Sequence, residues 1–149
     1  MDSWILRMRF ERIRQFSAAY RKTQYIVHLK SGVVSIVPEK LNLRCLRRLR
    51  LKANIRSHWV ILTPCNPRSK IIPESWNKLR VNKLINIVKV YGYPMFHTVN
   101  RDQAGLWPDE TGVLIVGIPL PHAIRLAKRF GQNALLAGTS AGPPRLIWT

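Results

Sequence analysis

Apolar positions along the chain follow two periods, and each stretch predicts an element. Between Ser3 and Tyr20 the residues Trp4, Met8, Ile13 and Phe16 form an irregular helical stripe, with Arg7, Glu11 and Arg14 between them. Thr23 to Leu29 (TQYIVHL) and Val33 to Val37 read as two strands around a Ser31-Gly32 turn signal, hence a hairpin. Leu41 to Leu51 returns to helical spacing: Cys45, Leu46 and Leu49 share one side, and Arg44, Arg47 and Arg48 lie on the other. His58 to Thr63 (HWVILT) is apolar without alternation, as expected of a central strand covered on both faces. Pro64 and Pro67 force the chain to turn after it.

Pro73 to Tyr91 is the longest helical pattern, with Trp76, Leu79, Leu84, Ile87, Val88 and Tyr91 repeating every three to four positions and Gly92 where a C-cap belongs. Tyr93 to Val99 predicts a strand entering a long loop, Asn100 to Thr111, and Gly112 to Ile118 predicts another buried strand. Pro119 opens a helix with Leu120, Ala123, Ile124, Ala127 and Phe130 on its apolar face, and Gly131 closes it. Asn133 to Ala137 and Arg145 to Trp148 read as a closing hairpin. The fold class that follows is α/β of the α+β type. A single domain is expected over residues 17–149, with a mixed or mostly antiparallel sheet packed with about three helices, and a basic helical extension over residues 1–16. No GxGxxG follows the first strand and no GxxxxGK[ST] occurs, so a dinucleotide or P-loop fold is not expected, and no cofactor is.

Charge changes the picture more than length does. The 149 residues include 25 Lys+Arg against 7 Asp+Glu, a net +18, and the excess is densest in the first 58 residues. Such a field attracts polyanions, so nucleic acid or a nucleotide is the expected partner class, with Arg44, Arg47 and Arg48 as the most concentrated backbone-contacting group. The same arginines also suit a solvated outer face. Cys45 and Cys65 stand 20 positions apart with no CxxC, which gives no zinc quartet and predicts two free thiols. No run approaches a membrane span, and Arg7, Arg9, Arg12 and Arg14 break any secretory signal, so cytoplasmic residence is expected.

Five local patterns go together: AYRKTQY at Ala19 to Tyr25; ILTPCNPRS at Ile61 to Ser69 with Asn77 beyond it; RDQAGLWPDE at Arg101 to Glu110; LIVGI at Leu114 to Ile118; and RFGQNALL at Arg129 to Leu136. In order and spacing these resemble the bacterial family called domain of unknown function 3293, from about residue 19 to 148. The resemblance implies a small α/β domain and no particular reaction. Residues 1–16 lie outside its pattern. The chain departs from it at Thr63-Pro64-Cys65-Asn66-Pro67, where family members look like Thr-Ala-aromatic-Asn-Pro, which alters the wall beside Asn66.

The polar residues of these patterns fall at strand ends and loops: Asn66, Ser69 and Asn77; Asp102, Trp107 and Glu110; Gln132 and Asn133. If the strands are neighbours, these groups meet at one rim of the sheet, where amides read donor and acceptor edges and Trp107 stacks on a ring. Asn66, Ser69, Asn77, Trp107, Gln132 and Asn133 are therefore the ligand-binding candidates. Glu110, His97 and Asp102 are the acid/base candidates, with Glu110 orienting His97. Each also has an ordinary structural reading: Asn-Pro forms an Asx turn, and a tryptophan plugs a core. His28, His58 and His122 sit in structural contexts. Three functions compete: a module binding RNA, DNA or a nucleotide; an enzyme on nucleotides or phosphoesters; and a partner-binding protein whose N-terminal helix docks on an acidic surface.

Overall fold

The apolar run at the middle of the chain sets the architecture. In the computed structural model, which describes residues 3–149, all four residues of strand Trp59–Leu62 are buried, because helices cover both faces of the sheet at that point. The elements in chain order are α1 (Ser3–Arg21), β1 (Thr23–Leu29), β2 (Gly32–Ile36), α2 (Leu43–Ala53), β3 (Trp59–Leu62), α3 (Glu74–Tyr91), β4 (Met95–Asp102), β5 (Glu110–Val116), α4 (Leu120–Arg129), β6 (Ala134–Gly138) and β7 (Arg145–Trp148). A short 3-10 turn, Pro67–Ser69, lies between β3 and α3.

The seven strands run in the order β2-β1-β4-β5-β3-β6-β7, and every pairing is antiparallel. The alternation of helix and strand in the sequence nevertheless reflects real crossovers. α3 carries the chain from β3 to β4 past the intervening β5, and α4 carries it from β5 to β6 past β3. Each helix thus joins two parallel strands that are not neighbours, so an α/β rhythm coexists with a wholly antiparallel ladder.

Two cores lie on opposite faces. On one, α3 and α4 seal Val60, Leu62, Val113, Ile115 and Leu135 with Leu84, Val88, Leu126 and Phe130. On the other, α2 presses Leu49 onto Val27, Leu29, Trp59, Leu114 and Leu136. α2 starts at Asn42, whose side chain accepts from the Cys45 N–H at 3.1 Å, and stops at Asn54 in the left-handed region. It covers only the end of its face near the start of β3. The other end of that face is left for the cavity described below.

Three expectations are corrected by packing. The stripe of α1 faces solvent at Trp4 and Met8, and the helix is held by its C-terminal half, where Tyr20 stacks on Trp148 at 5.2 Å. α3 buries Asn77, Leu84 and Val88, while Trp76, Leu79 and Tyr91 are exposed: the face turned to the sheet is set by a polar anchor at Asn77. The loop expected over Asn100 to Thr111 shortens to residues 103–109, because Asn100 pairs with Glu110 and Asp102 with Thr23 in the ladders. Cys45 is half-buried and Cys65 buried, and both are free. Among the described residues no helix is long and apolar enough to cross a membrane.

Gly138 is the tightest backbone approach in the sheet. A Cβ there would stand 2.1 Å from Trp59 Cζ2, with the indole wedged against β6. Gly138→Ala is expected to displace Trp59 and cost ~1–3 kcal/mol, as overpacking does, read as a lower urea midpoint. An unchanged midpoint would show that Trp59 does not rest on this glycine.

Candidate functional site

Beyond β3 the chain turns sharply, and buried side chains hold the turn. Thr63 Oγ1 donates to the Thr111 carbonyl at 2.8 Å and accepts from the Cys65 N–H at 3.1 Å. Asn66, at φ 46°, takes the left-handed conformation that asparagine tolerates better than most residues. Arg68 and Ser69 take it too, at φ 56° and 57°. That geometry costs on the order of 1 kcal/mol or more per residue. It persists because the surroundings over-determine it: Arg68 N–H donates to the Gly131 carbonyl at 2.7 Å, and Ser69 N–H to Asn66 O at 3.1 Å.

Asn66 is tied into this network through both backbone and side chain. Its backbone N–H donates to Asn77 Oδ1 at 3.0 Å. Its Oδ1 accepts from Asn77 Nδ2 at 2.9 Å and from the Ile72 N–H at 3.1 Å. Its Nδ2 therefore faces Glu110 and donates to Oε2 at 2.9 Å. Arg80 adds a second tie, donating to the Pro64 carbonyl at 2.7 Å and to the Phe130 carbonyl, with its guanidinium over the Phe130 ring. The β3–α3 turn and the α4–β6 turn are thereby locked into one wall, and Gln132 Nε2 completes it by donating to the Cys65 carbonyl at 2.9 Å.

This wall borders a cavity of about 350 Å³ on the α2 face of the sheet, at the end α2 leaves uncovered. Phe16 and Tyr20 of α1, Tyr25 of β1, Ile61 of β3, and Leu106 and Trp107 of the 103–109 loop give it apolar and aromatic sides. Its polar floor is a row across three strands: Tyr25 pairs with Asn100, and Asn100 with Glu110. The Asn100 amide oxygen is buried with no hydrogen-bond partner, as is the hydroxyl of Thr98 two residues earlier on the same face. Lys22 is the one basic residue on the lining.

The structure brings Asn66, Ser69, Asp102, Trp107, Glu110 and Gln132 to this one cavity. Asn77 and Asn133 stand behind it. Asn77 orients Asn66, and Asn133 donates to Ser69 Oγ at 3.0 Å, which itself shares a hydrogen bond of 2.6 Å with Tyr20. Asp102 holds the loop, its carboxylate accepting from the N–H groups of Ala104, Leu106 and Trp107. That leaves it poorly placed for proton transfer. His97 does not join Glu110. It pairs in register with Val113 on the opposite face and lies 5.3 Å from His28, which together with burial pushes its pKa down. The reason is parity: Glu110 lies opposite Asn100, an odd number of residues from His97, so the two side chains leave opposite faces. Arg44 and Arg47 are exposed on α2, whereas Arg48 is half-buried and donates to the Val33 carbonyl at 2.8 Å. Tyr20, Tyr25, Asn100 and Arg80 were missed as site residues. The AYRKTQY pattern carried the two tyrosines; nothing local marked the other two. Among the described residues no three His, Cys, Asp or Glu side chains gather as metal ligands.

Glu110 is the chemical centre of the cavity. Burial pushes its pKa up to about 7, while the side-chain hydrogen bond from Asn66 pulls it partly back. Among the described residues it has no ion-pair partner. Burial also raises Tyr25, helped by Tyr20 and Glu110, and raises the Cys65 thiol. A carboxyl whose folded pKa is raised keeps its proton while the unfolded chain releases one. Stability therefore falls as pH rises from about 4.5 to about 7 and levels off above. The loss amounts to about 3–4 kcal/mol at ~1.4 kcal/mol per unit. Glu110→Gln is expected to abolish this slope and to be the more stable protein at pH 8, read from urea midpoints across that pH range. Parallel profiles for the two proteins would remove Glu110 as the titrating group.

Comparison with known proteins gives one match. No curated protein and no solved structure matches the chain. Residues 62–135, which carry Asn66, Asn77, Asn100, Trp107, Glu110 and Gln132, match the family model described as protein of unknown function (DUF3293), so the resemblance drawn from the sequence patterns holds over that stretch.

Proposed function

We propose that this chain binds a nucleotide-type ligand, seating a nucleobase or a heterocycle of that size in the cavity and leaving any phosphate to the cationic exterior. The observation that carries the reading is a half-buried carboxyl, Glu110, with no ion pair among the described residues, at the floor of a cavity walled by Phe16, Tyr20, Tyr25 and Trp107. Aromatic walls with a few convergent polar groups suit a flat ring, and the volume falls in the ~300–1,000 Å³ range of small-molecule sites. A phosphate inside would meet Glu110 with only Lys22 to offset it. A net charge of +18 on the chain favours the phosphate outside.

A second reading, contact between α2 and a nucleic-acid backbone, has its own support. The helix carries no acidic residue, and Arg44, Arg47 and Arg50 are exposed on it without an ion pair among the described residues. Glu110 alone is left as an acid/base group for a catalytic variant of the first reading, since His97 sits on the far face.

Titration calorimetry with the common nucleosides tests the cavity. At least one is expected to saturate, and Trp107→Ala is expected to weaken it ~5- to 150-fold, the ~1–3 kcal/mol of a base–aromatic stack. Absence of saturation by any nucleoside sinks the reading. For α2, the triple change Arg44→Gln, Arg47→Gln, Arg50→Gln is expected to reduce the slope of log affinity against log salt for an oligonucleotide by about 2–3. An unaltered slope would place any backbone contact elsewhere.

A further inference from the structure

We propose that the ring taken up by the cavity presents two adjacent N–H donors to Glu110, the 2-amino-4-oxopyrimidine edge shared by guanines and pterins. This rests on the cavity being a ring-binding site and adds what the ring must display.

The donors and acceptors of the cavity floor leave little choice. Asn66 cannot present its oxygen to Glu110, because that oxygen already accepts from Asn77 Nδ2 and the Ile72 N–H. Its Nδ2 therefore donates, and Glu110 Oε2 accepts. Trp107 lines the cavity together with Glu110, and an indole can only donate. Asn66 thus treats Glu110 as an acceptor, and above pH about 7 the group is an ionised carboxylate. Such a carboxylate has about four lone-pair sites. One is taken by Asn66, and among the described residues Glu110, which lines the cavity, makes no ion pair and accepts no further side-chain hydrogen bond.

A second observation points the same way. Asn100 stands directly across the β4–β5 ladder from Glu110 and also lines the cavity, and its amide oxygen is buried with no donor. Asn100 thus adds to the floor an acceptor without a donor, and a ligand N–H that reached it would satisfy a group the fold leaves unpaired. Two parallel N–H bonds from a planar edge to one carboxylate reproduce the geometry that makes guanidinium–carboxylate pairs strong, without asking the ligand to carry charge. The edge of guanine offers a ring N–H next to an exocyclic amino group. Adenine offers only one donor beside an acceptor, uracil a donor between acceptors, and hypoxanthine the ring N–H alone.

The test compares guanosine, inosine, adenosine, uridine and pterin by calorimetry on the full chain. Guanosine and inosine differ by the 2-amino group alone. Guanosine or pterin is expected to bind at least tenfold more tightly than inosine, and Glu110→Gln is expected to bring that ratio close to one, because an amide offers one acceptor and one donor where the carboxylate offers two acceptors. Binding of pterin with no nucleoside overturns the nucleotide reading and keeps the donor edge, with a pterin as the ring. Equal binding of guanosine and inosine overturns the donor edge and leaves the ring cavity standing. Absence of binding by all five overturns both. Circular dichroism and a urea midpoint on Glu110→Gln show that its loss of discrimination comes from a folded protein.

Discussion

A single buried asparagine in a left-handed turn joins three parts of this molecule that sequence places far apart. Asn66 ends the turn after β3, accepts from the start of α3 through Asn77 and Ile72, and reaches β5 through Glu110. Its carboxamide and backbone N–H are satisfied by one another's neighbours, so the network has one self-consistent arrangement. Burying so many polar groups costs nothing only while every partner is present. Removal of any one leaves a buried donor or acceptor to be desolvated at ~1–3 kcal/mol. The same closure explains why α3 turns Asn77 inward and leaves Trp76 and Leu79 in solvent.

The charge of the protein is inverted between outside and inside. The exterior carries a large basic excess, and the cavity holds a carboxylate whose fixed partner, Asn66, is a neutral donor. In the proposed reading these preferences separate the two halves of a nucleotide, the flat part going inward and the charged part staying out. The geometry also fits this division. α2, with Arg44, Arg47 and Arg50 exposed, and the cavity lie on the same face of the sheet.

The sequence disclosed elements more readily than partners. Thr23–Leu29 and Arg145–Trp148 fall where the apolar pattern places them, because each is a short β-branched or aromatic run between turn residues. Pairing order was not legible. The crossovers through α3 and α4 skip a strand, and nothing in a local period tells a skipped strand from an adjacent one. The convergence of Asn66, Trp107, Glu110 and Gln132 was accessible, since strand ends and loops gather at rims. The division of labour among them was not. Asp102 and Asn77 look like ligand-facing groups in the chain and turn out to spend their polar atoms on backbone N–H groups and on Asn66. His97 failed for a countable reason: the β4–β5 register fixes its parity relative to Glu110, and the register depends on how far the strands extend into the loop.

The departure at Thr63-Pro64-Cys65-Asn66-Pro67 bears on how the cavity tolerates change. The resemblance drawn from the sequence implies an aromatic residue at the position of Cys65. Here the smaller thiol lies behind the wall, against the Thr111 carbonyl, and its own carbonyl oxygen accepts from Gln132. The contact that shapes the wall at this point is therefore made by the Cys65 backbone, which any residue supplies. Asn66 stays in place because its bonds run to Asn77, Ile72 and Glu110 and none of them to position 65. The aromatic surface of the cavity comes from Phe16, Tyr20, Tyr25 and Trp107, on elements that do not include this turn. The aromatic lining of the cavity and the polar anchor are thus built from separate segments, and substitution behind the anchor leaves that lining in place.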